Sequence, residues 1–176
     1  MKRIIYFLTV FVFLIVACNN EDVTTQPRVQ KRFIQDSLIK ANQFLVQRDS
    51  ELIQSYVDRH NFKMKITPDG LWYDIYKKSD GKKLQNGDII RYKYKIELLD
   101  GTVCYSSEKD GIEQMKIGSS GKETGLGKGF LMMRVGEKAK FILPPYLAYG
   151  LVGDMKKIPA RSALVYDVEV TELVDF

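Results

Sequence analysis

Cysteine is nearly absent from this chain, with only Cys18 and Cys104 in 176 residues. Cys18 closes an apolar leader, so no disulfide between the two is expected, and Cys104 reads as a small buried hydrophobe. Histidine is scarcer still. The single His60 ends a helical stretch with no second histidine or cysteine pair nearby, which argues for a surface or capping role and against a metal centre. No Ser/His/Asp or metal constellation of a protease can be assembled. Charge of one sign is also lacking. The 27 Lys and Arg face 22 Asp and Glu, and once Lys2 and Arg3 leave with the leader the excess is +3, spread along the chain without a nucleic-acid footprint. Long apolar runs are missing too: the longest, Ile4 to Ala17, has fourteen residues broken by Thr9, short for a spanning helix and right for a signal-peptide core.

What remains, 45% hydrophobic and 28% charged residues, suits one globular domain plus an appendage and leaves no room for a second catalytic domain. The leader ends in Ile15-Val16-Ala17-Cys18, which resembles the lipobox of bacterial lipoproteins. That resemblance implies removal of residues 1–17 and acylation of Cys18 as the new N-terminus. Several acyl chains, at about 0.8 kcal/mol per buried CH2, would hold the protein on a membrane. The plainer reading is an accidental cysteine at the end of an ordinary signal or anchor. Asn19 is not the aspartate that marks inner-membrane retention, which points to the outer membrane. Residues 18–28, ending near Pro27, read as a linker in which Glu21 and Asp22 belong either to an export signal or to a solvated tether.

Residues 29–62 carry helical spacing: Ile34, Leu38, Ala41 and Leu45, then Leu52, Ile53, Tyr56 and Val57 after Asp49-Ser50, a candidate N-cap. One long helix or two consecutive ones follow. Such a helix either packs on its own domain or forms a homodimer through N-terminal helices. Residues 63–176 switch to strand periodicity. Pro68-Asp69-Gly70 makes a turn between two short strands. From Ile90 to Leu98 the alternation puts Ile90, Tyr92, Tyr94 and Ile96 on one buried face. Gly125 to Met133 is the candidate helix inside this domain, and Ala139–Leu143 and Leu164–Leu173 are the last long strands. The sum is an α+β domain: an antiparallel sheet half wrapped around one short helix, preceded by a helical segment.

Toward the C-terminus, Pro144-Pro145-Tyr146-Leu147-Ala148-Tyr149-Gly150, Ile158-Pro159 and Ala163 to Val170 follow one another. Preceding them in order are Asn86-Gly87-Asp88, Leu99-Asp100-Gly101-Thr102, Ser106-Ser107, Gly125-Leu126 with Gly129, and Val135-Gly136-Glu137-Lys138. The ordered series, over about residues 86–174, resembles the FK506-binding-protein-type (FKBP) peptidyl-prolyl isomerase domain. The resemblance implies an FKBP-like fold and exchange of X-Pro bonds without a cofactor or metal. Tyr94 and Tyr166 would form pocket walls, Leu126 the floor and Ile158 the rim, with the Tyr149 hydroxyl donating to a substrate carbonyl. Met115, Tyr105 and the backbone of Glu123 would complete the substrate contacts. Read singly, each of these residues also fits an ordinary core or corner role.

Several positions depart from the family pattern. Cys104-Tyr105 stands where a Phe-Asp pair is usual, opening one wall and removing a carboxylate acceptor that helps orient the site. A similar tyrosine occurs in FKBP-like gliding-motility lipoproteins. Lys122-Glu123-Thr124 replaces an apolar rim, and a polar residue replaces one of two phenylalanines around Glu113, Gln114 and Met115. A shallower, more polar pocket is expected. Two functions follow: an envelope prolyl isomerase of low turnover that assists folding of exported proteins through their proline-containing segments, or an FKBP-shaped module that binds peptide or serves an envelope machine without catalysis.

Overall fold

Side chains alternate across one long central strand, β3 (Ile89–Leu98), in which Ile90, Tyr92, Tyr94 and Ile96 are buried and the residues between them exposed. The computed structural model describes residues 28–119 and 124–174, with side chains from residue 34 onward. The expectations placed on the leader, Cys18, Lys122 and Glu123 lie outside the described residues.

Antiparallel pairing runs from Ile89–Val174 to Leu98–Leu164 between β3 and β7 (Leu164–Val174). Beyond β7 come β6 (Lys138–Leu143), β2 (Trp72–Lys77) and β1 (Lys65–Ile66). The opposite edge of β3 is shared by two short strands, β4 (Val103–Ser106) near Lys95–Glu97 and β5 (Glu113–Lys116) at Ile89–Tyr92. Between them lies a single helical turn, α2 (Ser107–Asp110), which the sequence reading did not anticipate.

Both faces of the sheet are covered, and period-two alternation decides which residue meets which cover. On one face Ala139, Phe141 and Leu143 of β6 and Leu164, Tyr166, Val168 and Val170 of β7 join the main core with Leu126 and Phe130 of α3 (Thr124–Phe130). On the other, Ile142 and Val165 meet Trp72 and Ile53, Tyr56 and Val57 of α1 (Arg28–Arg59). The short helix α3 contains Gly125, Gly127 and Gly129, each costing about 1 kcal/mol in a helix. Burial of Leu126 and Phe130, at about 1.5–3 kcal/mol each, offsets that. Two of the glycines are required by close approach. A Cβ at Gly125 would lie 2.8 Å from the Leu147 carbonyl, and one at Gly129 would lie 2.8 Å from the Phe141 ring.

Residues 1–42 and 43–176 are separate contact units. In the first, described residues 28–42 are helical and Ile34, Leu38 and Ile39 are exposed. No described helix is long and apolar enough to cross a membrane. The expected N-cap at Asp49-Ser50 is not used. Asp49 is buried in the helix, and its carboxylate accepts from Arg161 instead of capping a new helix start. His60 follows the helix end with Nδ1 2.9 Å from the Tyr56 carbonyl, a capping position.

Candidate functional site

Tyr94 sits at the middle of β3, where the neighbouring strand β4 has already turned away. The Ser107 side chain takes over the lost ladder position: the Tyr94 N–H donates to Ser107 Oγ at 3.1 Å, and Ser107 Oγ donates back to the Tyr94 carbonyl at 3.2 Å. Next to it, the Ser106 N–H donates to Asp110 at 3.1 Å, so the paired serines set one wall through backbone bonds.

Leu126 enters the same core from α3 and Tyr166 from β7, both 1% exposed. Met115 of β5 stands opposite Ile90 and packs against that core half-buried. Pro144 and Pro145 open a 3-10 turn over Pro145–Leu147, closed when the Leu147 N–H donates to the Pro144 carbonyl at 2.9 Å. Gly150 then donates to the Pro145 carbonyl at 2.8 Å, and the turn leaves Tyr149 half-buried at the edge of the main core. Tyr146 acts as a corner tyrosine: its hydroxyl donates to the Asp69 carbonyl at 3.2 Å.

The loop after Tyr149 returns on itself. Its neck closes where the Arg161 N–H donates to the Gly150 carbonyl at 3.0 Å, and Ile158 within it is 2% exposed against the main core. Cys104 and Tyr105 of β4 meet this loop. The Cys104 thiol lies 3.6 Å from the Lys157 carbonyl, and burial, followed by the nearby Asp154 and Asp100 charges, pushes it above its usual range. The Tyr105 hydroxyl donates to Asp154, and this hydrogen bond pushes the phenol up to about 12. Partial burial works against the Asp154 carboxylate, but the bonds from Tyr105 and from the loop N–H groups leave it below the ordinary range.

The structure therefore brings Tyr94, Leu126, Ile158 and Tyr166 together in one apolar cluster, with Tyr105, Met115 and Tyr149 packed against it. Glu123 lies outside the described residues. Asp154 was not among the residues singled out from the sequence. Its signal is local: an aspartate four residues before Ile158 in a Gly-rich loop is the pattern of a side chain that closes on following N–H groups. A groove of about 700 Å3, lined by Tyr94, Ser106 and Ser107 together with Lys93, Lys138 and Glu169, carries ion pairs such as Lys138–Glu169. It reads as a solvated sheet face.

Such a cluster can lower the barrier to amide rotation without an acid, base or metal. A planar amide has more charge separation than a twisted one, so a dry aromatic-lined surface disfavours it more. A positioned hydroxyl then orients the peptide.

The family model described as FKBP-type peptidyl-prolyl cis-trans isomerase matches residues 80–171, just over half of the chain. Among curated relatives, Peptidyl-prolyl cis-trans isomerase FKBP9 of Rattus norvegicus is 40% identical over 97 residues, 52% of this chain and 16% of that protein. A probable FKBP-type isomerase, FkpA of Neisseria meningitidis serogroup B, is 34% identical over 110 residues, 62% of this chain and 40% of the relative. The chain thus spans under half the length of these relatives. Among solved structures, that of AtFKBP13 superposes with a TM-score of 0.61 at 28% identity, covering 64% of this chain and 99% of the other.

Proposed function

The chain belongs to the FKBP-type peptidyl-prolyl cis-trans isomerase family, and from that premise we propose that its domain exchanges the isomers of X-Pro bonds in exported proteins. The observation that carries this reading is the convergence of Tyr94, Leu126, Ile158 and Tyr166, from two strands, one helix and one loop, into a single cluster beside the half-buried Tyr149. No cofactor or metal enters the chemistry. Lipidation at Cys18 tethers the domain to the envelope, at the outer membrane, and the helix before it offers a means of homodimerisation.

A second reading, a peptide-binding module without turnover, draws on the same residues. Tyr94, Leu126, Ile158 and Tyr166 are each at most 6% exposed, which leaves little of their surface open to a peptide. Glu113, which stands near Met115 on the edge strand, accepts from the Tyr92 hydroxyl at 2.7 Å and so keeps that edge polar. Exchange spectroscopy on a proline-containing peptide separates the two. Acceleration of cis-to-trans exchange is expected from the full chain; peptide binding without acceleration would leave the module reading in its place.

A further inference from the structure

We propose that Asp154 is the positioning carboxylate of this site, acting with Tyr105 to hold Ile158 at the rim; the proposal rests on the reading above for what the site binds. The family pattern places an aspartate at position 105, and this chain has tyrosine there. A carboxylate reaches the same wall by another route.

Tyr105 projects from β4, and its hydroxyl donates to Asp154 Oδ2 from the returning loop. The other oxygen, Oδ1, accepts the N–H groups of Ile158 and Lys156, each at 2.8 Å. The N–H of Asp154 itself donates to the Ile158 carbonyl at 3.2 Å. One carboxylate thus fixes the backbone of the rim residue and the side chain of the wall residue together. A turn that needed only local closure would use Oδ1 and leave Oδ2 to water. Oδ2 instead joins the loop to a strand 49 residues away.

The departures from the family at 104 and 105 meet this same loop. Cys104 lies against the Lys157 carbonyl, and the Lys157 ammonium stands 4.5 Å over the Tyr105 ring. Tyr105 reaches across to the loop, where its hydroxyl meets the Asp154 carboxylate. Cys104, Tyr105 and Asp154 therefore meet in one set of contacts between β4 and the loop.

The test uses the 15N-labelled full chain, its Tyr105→Phe, Asp154→Asn and double variants, and a short proline peptide. Tyr105→Phe leaves Asp154 and its bonds to Ile158 intact. It is expected to speed amide exchange at Ile158 about 10-fold and weaken peptide affinity about 5- to 10-fold, as loss of a hydrogen bond to a charged group would. The double variant should be within about 2-fold of the weaker single, because the two side chains act as a unit. In Asp154→Asn the Tyr105 phenol should titrate near the ordinary tyrosine value instead of about 12. Unchanged Ile158 exchange in Tyr105→Phe overturns the proposal, and so does a lowered urea midpoint with peptide affinity unaffected. If the wild-type chain bound no proline peptide, the function proposed above would fall, while exchange at Ile158 and the phenol titration would still decide the role of the pair.

Discussion

Arg161 grips Asp49 through both carboxylate oxygens, at 2.9 and 2.8 Å, and joins residues 112 positions apart. The same guanidinium nitrogen donates to the Leu45 carbonyl at 3.1 Å. Because the Arg161 N–H also closes the neck of the loop that carries Ile158, the later turns of α1 are tied to the base of the rim. Asp49→Ala leaves a guanidinium without its carboxylate. The side chains are 10% and 25% exposed, so the cost is expected to be about 1–3 kcal/mol, below that of breaking a fully buried pair. Urea unfolding of the full chain measures it, and a change below a few tenths would contradict this account of the contact.

Glycines of α3 give a contrast between neighbours. Gly129→Ala pushes a methyl to 2.8 Å from the Phe141 ring and is expected to destabilise by about 1–3 kcal/mol. Gly127→Ala meets nothing closer than 4.0 Å and should be neutral or stabilising by up to about 1 kcal/mol. Equal effects on the urea midpoint would show that close packing of this helix is not what selects glycine.

Acid should weaken the fold through Asp69 and Asp154. Hydrogen bonds from Lys128 and Thr67 hold the Asp69 carboxyl below its ordinary range, and Asp154 is likewise held low. A carboxyl with a folded pKa below its unfolded one contributes stability in full above about pH 4 and loses it as pH falls through the folded value. The gap in Tm between wild type and an Asp69→Asn/Asp154→Asn variant should therefore narrow as pH drops from 5 toward about 2. A constant gap would contradict the assignment. For Tyr105 the sign is opposite: its pKa is raised, so its contribution is complete below about pH 10 and disappears as pH rises through about 12.

Anchoring has its own test. Cys18→Ser is expected to move the chain from the membrane fraction to the soluble fraction, since several acyl chains are needed for firm attachment. Continued sedimentation with membranes would remove lipidation from the account.

Much of the fold could be read along the chain because its signals are local. The alternation of Ile90, Tyr92, Tyr94 and Ile96 announced β3, and Gly125 to Met133 was the candidate for the helix observed at Thr124–Phe130. The short strand β5 was hidden, because its Glu113 and Gln114 are exposed and polar and gain their strand form only from pairing with β3. Asp49 looked like a helix cap for a related reason: the partner that draws it inward, Arg161, is remote in sequence. The family was legible from the order of motifs. The tie between Tyr105 and Asp154 was not, since a tyrosine in place of an aspartate reads as a loss until the loop that answers it is folded beside it.

The central claim is catalysis of proline isomer exchange at the cluster beside Tyr149. Its most direct test is the cis-to-trans rate of a proline peptide with micromolar full chain, for wild type and Tyr149→Phe. The account predicts acceleration by wild type and a rate about 5-fold lower for the variant, the effect of losing one hydrogen bond worth roughly 1 kcal/mol. A wild-type rate equal to the spontaneous one, or a Tyr149→Phe rate equal to that of wild type, would contradict it.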